Sequence, residues 1–576
     1  MAIQVSVLAN RSVRRGALRR LAFILAAISA LAVPVPARAA FGSHGMVASD
    51  HELASQAGVE MLQRGGNAID AAVATAFAVC VLSPSSCGIG GGGLMLIYLA
   101  RSRRTVALDY RETAPAQATR DMFVRAGQAV PELSRSGGLA VATPGEVAGL
   151  AAALQRYGTL PLRTVVAPAI HFARDGFSVS PHLAQEIAAT REALARQPLL
   201  ARNFLRADGA PLSVGDTVRQ PELAQTLDTI AAIGAQTFYH GAIAEQIASS
   251  VAAAGGILST ADLAEFRPTW RRPLHAQFSD ATVLAMPPPS SGGGVILEIL
   301  GIVHDDDLPA LGYDSPTYFH LLAEAMAHGF ADRAHLYGDS DFVDVPLLQL
   351  LAPNNLAALR ARISATRTFD TSSYGSRLGG PTALADHGTS HLSVMDADGN
   401  AVACTTTINT AFGSMVVAGD TGIILNNEMD DFSAQPGVAN VYGLVGAEAN
   451  AVAPRKRPLS SMSPTIVTRH DRAVLALGGS GGPLIISATL QVLLNSMKFD
   501  LPATAAVAAP RIHDQWVPSV VAVEPEISAS TRSALARYGY TVKEVPAMGA
   551  VQLVQRTAIG FDGAADPRKG GEAVGW

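Results

Sequence analysis

The chain has 576 residues, of which 49% are hydrophobic and only 16% are charged. These values fit two to four domains, or one large domain with a sizeable core, and they exclude intrinsic disorder for most of the chain. The formal net charge is −5, but the first 39 residues carry six arginines and no acidic residue, so the rest of the chain is more acidic still. A net acidic body argues against nucleic acids and anionic membrane surfaces as main partners.

The N-terminus has the pattern of an export signal. Five arginines between residues 11 and 20 precede an apolar run over residues 21–33, and Ala37-Arg38-Ala39 has the small-x-small form of a cleavage site. The run is shorter than the ~20 residues that a membrane-spanning helix needs. We therefore predict a signal peptide over residues 1–39 and a periplasmic or secreted mature protein without a membrane anchor; a retained anchor is the alternative. The arginine pairs leave open whether export follows the general secretory or the twin-arginine route.

Helices dominate the first half of the predicted structure. Residues 49–52 (Ser-Asp-His-Glu) have the form of a capping box that would start a helix, and Gly65-Gly66 would end it. Residues 67–81 are almost wholly apolar, which predicts a helix buried on all sides. After a glycine run, residues 94–98 and 105–109 predict a β-hairpin. Amphipathic helices are then expected over residues 144–157 and much of 161–350.

The second half is richer in strand patterns. Residues 366–388 have the Thr, Ser, Gly and Pro content of an exposed linker. Strand patterns follow at residues 392–395, 401–407, 422–425, 463–467 and 474–477. Asp398-Gly399 predicts a two-residue hairpin turn between the first two, and residues 484–497 predict a helix. We expect helices covering a mostly antiparallel sheet, with a change of character near residue 388.

The three cysteines are Cys80, Cys87 and Cys404. An odd and small number of cysteines in an exported protein does not indicate a disulfide framework. Cys80 and Cys87 could form a disulfide or pack as two small apolar side chains, and Cys404 would pack within a strand.

One candidate for the chemistry is a serine nucleophile. Residues 478–482 (Gly-Gly-Ser-Gly-Gly) fit the G-x-S-x-G elbow of an α/β-hydrolase, between a predicted strand and a predicted helix. Ser480 would then need a triad, for which Asp500 and His513 are the downstream residues. The alternative is a glycine-rich turn whose backbone takes part in the chemistry.

Two further motifs have plainer structural interpretations. His320, Glu324 and His328 are spaced to share one helix face, but they do not form a recognised zinc motif, and a satisfied helix face is the alternative. The glycine run at residues 90–93 lacks a following Lys-Ser/Thr and precedes a strand, so it does not fit a phosphate-binding loop. Close backbone packing is the better interpretation of that run.

The fourth candidate is the dipeptide Gly388-Thr389, at the border between the linker and the strand-rich half. If the bond before Thr389 were cut, this residue would carry both a hydroxyl and a free α-amine. An α-amine has a pKa of about 7.7–8.0, low enough for it to act as a base near neutral pH. One residue would then supply nucleophile and base, as in the N-terminal threonine variant of the catalytic triad.

Several long motifs surround this threonine in a fixed order. From Thr389 onward they are residues 389–394 (TSHLSV), 398–402 (DGNAV), 405–409 (TTTIN), 422–433 (GIILNNEMDDFS), 456–465 (KRPLSSMSPT) and 566–568 (DPR). Upstream of it they are residues 46–49 (MVAS), 65–74 (GGNAIDAAVA) and 108–112 (LDYRE). Together they resemble the large and small subunits of γ-glutamyltransferases (γ-glutamyltranspeptidases), which are N-terminal nucleophile hydrolases, over nearly all of residues 40–576.

The resemblance implies a fold and a subunit organisation. The fold would be α+β, a four-layer αββα sandwich. The precursor would cut itself before Thr389 into a large subunit, residues 40–388, and a small subunit, residues 389–576, which form a heterodimer. Gly388 departs from the bulkier residue often found before the nucleophile, and Pro483-Leu484 is an unusual pair after the two glycines.

The resemblance also implies an activity on γ-glutamyl amides. The Thr389 hydroxyl would attack the γ-glutamyl amide of glutathione or a related compound to form an ester, and water or the amine of an amino acid or peptide would release it. Gly481 and Gly482 would form the oxyanion hole, and Thr407 would assist processing and orient Thr389. No cofactor and no metal is implied.

The remaining site residues implied by the resemblance bind the zwitterionic α-carbon of the substrate. Arg111 would bind the α-carboxylate, helped by Ser460 and Ser461. The residues expected at the α-ammonium group are Asn409, Glu428 and Asp431. Tyr442, in a lid loop over residues 436–444, would close over the pocket beside Asn409 and exclude water.

Three alternatives remain open. A cephalosporin or glutaryl-amide acylase of the same superfamily would share the fold, although a glutaryl group has no α-ammonium for Glu428 and Asp431 to bind. An esterase built on Ser480 would remain a single chain. A non-catalytic exported protein would bind glutathione or glutamate without consuming either.

Overall fold

The computed structural model describes residues 39–375 and 388–576. Most of the predicted signal peptide, and residues 376–387 of the predicted linker, lie outside the described residues. The strands are β1 (Ala40–Gly42), β2 (Gly45–Ser49), β3 (Gly92–Leu99), β4 (Arg104–Asp109), β5 (Val124–Arg125), β6 (Gln128–Ala129), β7 (Phe177–Ser178), β8 (Thr217–Val218), β9 (Thr269–Arg271), β10 (Leu274–Phe278), β11 (Ala281–Ala285), β12 (Thr389–Asp396), β13 (Ala401–Thr407), β14 (Thr465–Arg469), β15 (Arg472–Ser480), β16 (Ile512–His513), β17 (Val521–Val523), β18 (Val542–Glu544), β19 (Ala550–Arg556), β20 (Phe561–Ala564) and β21 (Glu572–Gly575).

The helices are concentrated before residue 365, as predicted. The α-helices span Glu52–Gln63, Ala68–Leu82, Glu132–Arg135, Glu146–Tyr157, Leu162–Asp175, Pro181–Leu194, Pro198–Phe204, Pro221–Ile233, Gln236–Tyr239, Ala242–Ala253, Thr260–Glu265, Gly292–Ile302, Leu308–Leu311, Pro316–Leu336, Leu347–Leu350, Pro353–Arg362, Leu484–Lys498, Ala503–Ala508 and Ala529–Tyr538. Short 3₁₀ turns lie at Ala100–Ser102, Gly138–Ala140, Thr371–Ser373, Glu428–Asp431 and Glu448–Asn450. Among the described residues, no helix combines the length and the apolar character needed to cross a bilayer.

Two seven-stranded antiparallel sheets form the centre of the fold. Their strand orders are β21-β2-β12-β13-β3-β4-β9 and β1-β20-β19-β15-β14-β11-β10. Side chains from both sheets, including Met46, Leu94 and Val554, are fully buried in one apolar cluster between them. Helix Ala68–Leu82 packs on β12 and β13, and helix Leu484–Lys498 packs on β15 and β19. The layers therefore run helix, sheet, sheet, helix, which confirms the predicted αββα sandwich.

The strand that begins at Thr389 lies in the middle of its sheet. β12 pairs with β2 on one side and with β13 on the other, and Thr389 lies opposite Thr407. The turn between β12 and β13 is one residue longer than predicted, because the last pairing contact joins Asp396 to Asn400. Gly399 occupies the left-handed region of this loop, at φ +92°, as a three-residue hairpin loop requires.

The first two helices show where the helix predictions succeed and fail. Every residue of Ala68–Leu82 is buried, as its apolar composition predicts. The capping box predicted at residue 49 is wrong: the helix begins at Glu52, and the His51 side chain accepts the capping hydrogen bond from the Leu53 N–H. Ser49 is still part of β2, so its backbone belongs to the sheet and not to the helix entry.

The strand predictions are mostly confirmed, with two corrections. The hairpin of β3 and β4, the strands β12 to β15 and the helix after residue 483 are present. Residues 422–425 do not form a strand but make only isolated bridges, such as that of Leu425 to Gly90. Gly478 and Gly479 are not part of a turn: they pair with β19 inside β15.

Candidate functional site

Thr389 is held by hydroxyl contacts at the end of the β12–β13 pair. The Thr407 hydroxyl donates to the carbonyl of Gly388 at 2.8 Å and accepts from the Asn409 N–H at 2.8 Å. A hydroxyl has only one hydrogen, so the 3.2 Å contact between Thr389 and Thr407 has Thr389 as its donor. In the continuous chain, the hydroxyl of Thr389 and the carbonyl that precedes it therefore share Thr407 as a hydrogen-bond partner.

Gly388 has a backbone conformation that suits glycine. Its φ is +74°, and a Cβ placed there would lie 2.1 Å from the carbonyl oxygen of Asn409. The sequence has glycine here, where the family often has a bulkier residue. The structure accounts for this, because the residue has a left-handed conformation and packs closely on the backbone after β13.

The predicted binding residues line one pocket next to Thr389. Its wall includes Arg111, Thr389, Thr407, Asn409, Glu428, Asp431, Tyr442, Ser460, Ser461 and Gly482. Of the eleven site residues expected from the sequence, only Gly481 is outside this wall. Gly481 lines a second cavity, which Thr389 and Gly388 also line. The structure therefore brings together residues that are more than 300 positions apart in the chain.

Arg111 is at the centre of the pocket's charges. Its buried guanidinium contacts Glu428, donates to Asp431 Oδ2 at 2.5 Å and donates through Nε to the Pro458 carbonyl at 3.2 Å. A third buried carboxylate, Glu112, lies 3.8 Å from the same guanidinium. The pocket thus offers both signs of charge within one side-chain length, as a zwitterionic ligand requires.

Burial dominates the protonation of these groups. It raises the pKa of Glu428 to about 7, against the lowering effect of the Arg111 guanidinium. It also raises the pKa of Asp431 and of Glu112. Burial alone would lower the pKa of Arg111, but the surrounding carboxylates outweigh it and raise that pKa, so the guanidinium stays charged.

The predicted lid closes on Asn409. The Tyr442 hydroxyl donates to the Asn409 backbone carbonyl at 2.6 Å and lies 2.8 Å from its side-chain Oδ1. The Tyr442 ring also covers Gly482, where a Cβ would lie 2.7 Å from the ring. A second link joins the lid to the charged cluster, because Asn440 donates to Asp431 at 3.2 Å.

Gly481 and Gly482 lie between β15 and helix Leu484–Lys498, both with positive φ. Within the described part of the chain, neither N–H donates to another protein group. Two adjacent backbone donors at the start of a helix, near the hydroxyl of Thr389, form a suitable place for a developing oxyanion.

Ser460 and Ser461 also line the pocket. The Ser460 hydroxyl accepts from the Met462 N–H at 3.1 Å, and the Ser461 hydroxyl accepts from Arg333 at 3.3 Å. Arg333 is a second buried guanidinium that also donates to Ser291 at 3.0 Å. Burial lowers the pKa of Arg333 to about 10.

Comparison with known proteins agrees with this geometry. Residues 54–576 match the family model described as Gamma-glutamyltranspeptidase. The chain belongs to this family. The γ-glutamyltranspeptidase motifs recognised in the sequence, and the N-terminal nucleophile hydrolase fold that they imply, are confirmed.

Curated relatives cover almost the whole γ-glutamyltranspeptidase chain. The chain is 44% identical over 530 residues to the glutathione hydrolase proenzyme of Escherichia coli strain K12, covering 91% of this chain and 90% of the relative. It is 37% identical to the glutathione hydrolase proenzyme of Bacillus subtilis strain 168, covering 93% and 92%.

Solved structures give the same fold. A cephalosporin acylase from Bacillus halodurans superposes with a TM-score of 0.83 at 30% identity, covering 95% of this chain and 99% of that one. A Helicobacter pylori γ-glutamyltranspeptidase chain matches at 40% identity with a TM-score of 0.53, covering 55% of this chain and 90% of that one.

The competing serine elbow does not assemble a triad in this family member. Both ring nitrogens of His513 have partners other than Ser480: Ser487 at 2.8 Å and Gln515 at 3.1 Å. Ser480 instead lies 3.4 Å from the ammonium group of Lys569, which donates to it. This arrangement argues against the Ser480 esterase.

The other motifs have structural partners. His320 forms hydrogen bonds with the Tyr540 hydroxyl and the Ser364 carbonyl. Glu324 accepts hydrogen bonds from two tyrosine hydroxyls, and His328 accepts one from a backbone N–H. In the glycine run, a Cβ at Gly91 would lie 2.0 Å from a backbone carbonyl, so close packing explains it. All three cysteines are free and buried.

Besides Glu112, three further charged residues with buried side chains near the site were not among the predicted ones. Arg333 contacts Ser461, while Lys569 contacts the carbonyl of Thr389 and forms a 2.8 Å ion pair with Asp50. Lys569 follows the family motif at residues 566–568 and Asp50 follows the one at 46–49. Their place at the edge of recognised motifs was the only signal in the sequence.

Proposed function

We propose that this protein is a self-processing γ-glutamyltransferase that also acts as a glutathione hydrolase. The observation that carries the proposal is the position of Thr389. Its hydroxyl shares Thr407 as a partner with the carbonyl before it, and the residue lines a pocket with one guanidinium and two carboxylates. Relatives named glutathione hydrolase proenzymes, at up to 44% identity, support the same activity.

Processing begins with an attack by the Thr389 hydroxyl oxygen on the carbonyl carbon of Gly388. The new C–O bond replaces the peptide C–N bond, and the leaving nitrogen takes up a proton to become the α-amine of Thr389. Water then hydrolyses the ester. The hydrogen bond from Thr407 to the Gly388 carbonyl supports this step, because it stabilises negative charge that develops on that oxygen.

The processed protein would consist of residues 40–388 and 389–576, held as a heterodimer. The interleaved strands support this, because β12 pairs with β2 from the first segment and with β13 from the second. The solved Helicobacter pylori chain spans little more than half of this chain's length, which is compatible with separate subunits in that relative. Residues 1–39 would direct export to the periplasm or beyond it.

Catalysis then uses the same threonine. Its α-amine takes the proton from its own hydroxyl, the oxygen attacks the γ-amide carbon, and the N–H groups of Gly481 and Gly482 stabilise the oxyanion. Arg111, with Ser460 and Ser461, binds the α-carboxylate. The α-ammonium is bound by Asn409, Glu428 and Asp431. The γ-glutamyl ester is released by water or by the amine of an amino acid or peptide, and the closed Tyr442 lid favours the amine by excluding water.

Processing and activity can be tested with one variant. Thr389→Ala should remain a single chain and should not release p-nitroaniline from γ-glutamyl-p-nitroanilide. The parent should give two bands, the smaller beginning at Thr389 by N-terminal sequencing. Thr468→Ala, a buried threonine on β14, is the control and should behave like the parent. A Thr389→Ala protein that still splits at this bond would contradict the proposal.

The acylase alternative is tested with a matched substrate. The cephalosporin acylase among the structural matches shares the fold, but the carboxylates on Arg111 favour a ligand with an α-ammonium group. We expect γ-glutamyl-p-nitroanilide to be cleaved at least ~100-fold faster than glutaryl-p-nitroanilide, which lacks that group. Equal rates would favour the acylase.

A further inference from the structure

Lys569 lies against the backbone of Thr389. Its ammonium group donates to the Thr389 carbonyl, donates to Ser480 Oγ at 3.4 Å and forms an ion pair with Asp50 Oδ2 at 2.8 Å. The contacts to Thr389 and Ser480 are hydrogen bonds, and the contact to Asp50 is an ion pair. The Lys569 side chain is 8% exposed, so its position is fixed by packing as well as by charge.

Asp50 is held equally firmly. It directly follows β2, the neighbour of β12, and its side chain is fully buried. Its second oxygen accepts from Gln552 Nε2 at 2.6 Å. Asp50 and Lys569 both adjoin the sheet that contains Thr389, and their contacts with Gln552 on β19 and Ser480 on β15 link the pair to the second sheet.

We propose that Lys569 and Asp50 are positioning residues that hold the Thr389 backbone in place and set the charge beside its α-amine, so that this amine can act as a neutral base. The inference rests on the proposed function, because it requires a free amine at Thr389. Bond lengths place the Lys569 ammonium about 6 Å or less from that nitrogen. At such a distance, a unit charge in a partly buried site changes the pKa of an amine by about half a unit to two units.

The two charges act in opposite directions. The Lys569 ammonium disfavours protonation of the α-amine, whereas the Asp50 carboxylate favours it. Removing one member should therefore shift the titration of the amine one way, and removing the other should shift it the opposite way. A role in packing alone gives no reason for opposite shifts.

Other charged and titratable groups also face Thr389. In the cavity that it shares with Lys569 these are His182, Glu186 and Arg568, and in the ligand pocket they are Arg111, Glu428 and Asp431. On β12 itself, burial lowers the pKa of His391 to about 3, so that imidazole is neutral. These groups are unchanged in the variants below, so they do not contribute to differences between them.

The test is the pH dependence of kcat for hydrolysis of saturating γ-glutamyl-p-nitroanilide. Its acidic limb reports the base in the enzyme–substrate complex. We expect Lys569→Met to move the limb up by about one pH unit and Asp50→Asn to move it down. Lys569→Arg keeps the charge and should leave the limb within about 0.3 units of the parent. The matched control is Lys498→Met, at the far end of the helix that begins after Gly482, about 20 Å away.

N-terminal sequencing of each preparation distinguishes a failure of the proposed function from a failure of the inference about Lys569 and Asp50. Full activity without a chain end at Thr389 would refute the proposed function. In processed protein, shifts of Lys569→Met and Asp50→Asn in the same direction, or no shift in either, would refute the inference alone. If Lys569→Met does not fold or process, Asp50→Asn decides: an unchanged limb in that variant overturns the inference, and a lowered limb with an unchanged Lys569→Arg supports it.

Discussion

Glu428 provides a direct test of how the pocket recognises an α-ammonium group. Burial raises the pKa of this carboxyl to about 7. At pH 8 about nine-tenths of it is therefore charged, and at pH 6 about one-tenth, since each pH unit changes the ratio of the two forms tenfold. Glu428→Gln removes the charge and keeps the shape. At pH 8 we expect kcat/KM for γ-glutamyl-p-nitroanilide to fall about tenfold, because a charge-assisted hydrogen bond becomes a neutral one.

The ratio of the parent's kcat/KM to that of the variant isolates the effect of Glu428. Titrations that the substitution leaves unchanged are common to both proteins and cancel. Because Glu428 also faces Thr389, the pH dependence of kcat at saturating substrate is measured in parallel and reports any shift of the Thr389 amine. The ratio should fall from about ten at pH 8 to about two at pH 6, with its midpoint near pH 7. Glu448→Gln, at an exposed carboxylate paired with Arg120, is the matched control and should give a ratio near one throughout. A ratio for Glu428→Gln that does not change between pH 6 and pH 8 would refute the assignment of this residue to the ammonium group.

Three further outcomes are expected. Thr407→Val, which removes the donor to the carbonyl before Thr389, should slow the appearance of the two subunits on a denaturing gel at least about tenfold, whereas Thr407→Ser should process normally. Gly478→Ala would place a Cβ 2.3 Å from the buried ring of His391 and should lower the free energy of unfolding by about 2 kcal/mol in denaturant titrations. Its control is Gly88→Ala, whose Cβ has no neighbour closer than 3.6 Å and which should change the free energy of unfolding by less than about 1 kcal/mol. Tyr442→Phe removes the hydroxyl contacts to Asn409 and should raise hydrolysis relative to transfer to glycylglycine, measured by product chromatography.

Local patterns predicted the elements whose environment is uniform. The helix at Ala68–Leu82 is buried on all sides, so its apolar composition alone was enough to predict that it is buried. The start of the preceding helix was missed because Ser49 belongs to a strand, and the cap is supplied by His51, a residue type for which capping is not the usual role. Residues 422–425 have strand composition but are not held in a ladder by either neighbouring sheet, so tertiary context outweighs propensity there.

The candidate site was predicted from motifs, and the unpredicted residues are those that support it from outside them. Asp50 and Lys569 are more than 500 positions apart in the chain, and each alone is an ordinary charged residue. They come together because β2 pairs with β21, where Ser49 lies opposite Glu572, and no local pattern reports that pairing. Arg333 is a similar case, since only the packing of helix Pro316–Leu336 brings its guanidinium to Ser461.

The topology explains how a chain could be cut at the site and keep its fold. Thr389 is the first residue of a central strand. A new chain end would therefore form where the strand begins and would not interrupt its hydrogen bonds to the neighbouring strands. Residues on both sides of the bond contribute neighbouring strands to both sheets, and the buried cluster between the sheets contains side chains from both. Because the apolar core and the hydrogen-bonded ladders cross the bond many times, cleavage frees one amine while the interactions that stabilise the sandwich remain. In the proposed processed protein, the same sheet positions would keep the Thr389 carbonyl on Lys569, so that the new amine would form where the hydroxyl is already oriented.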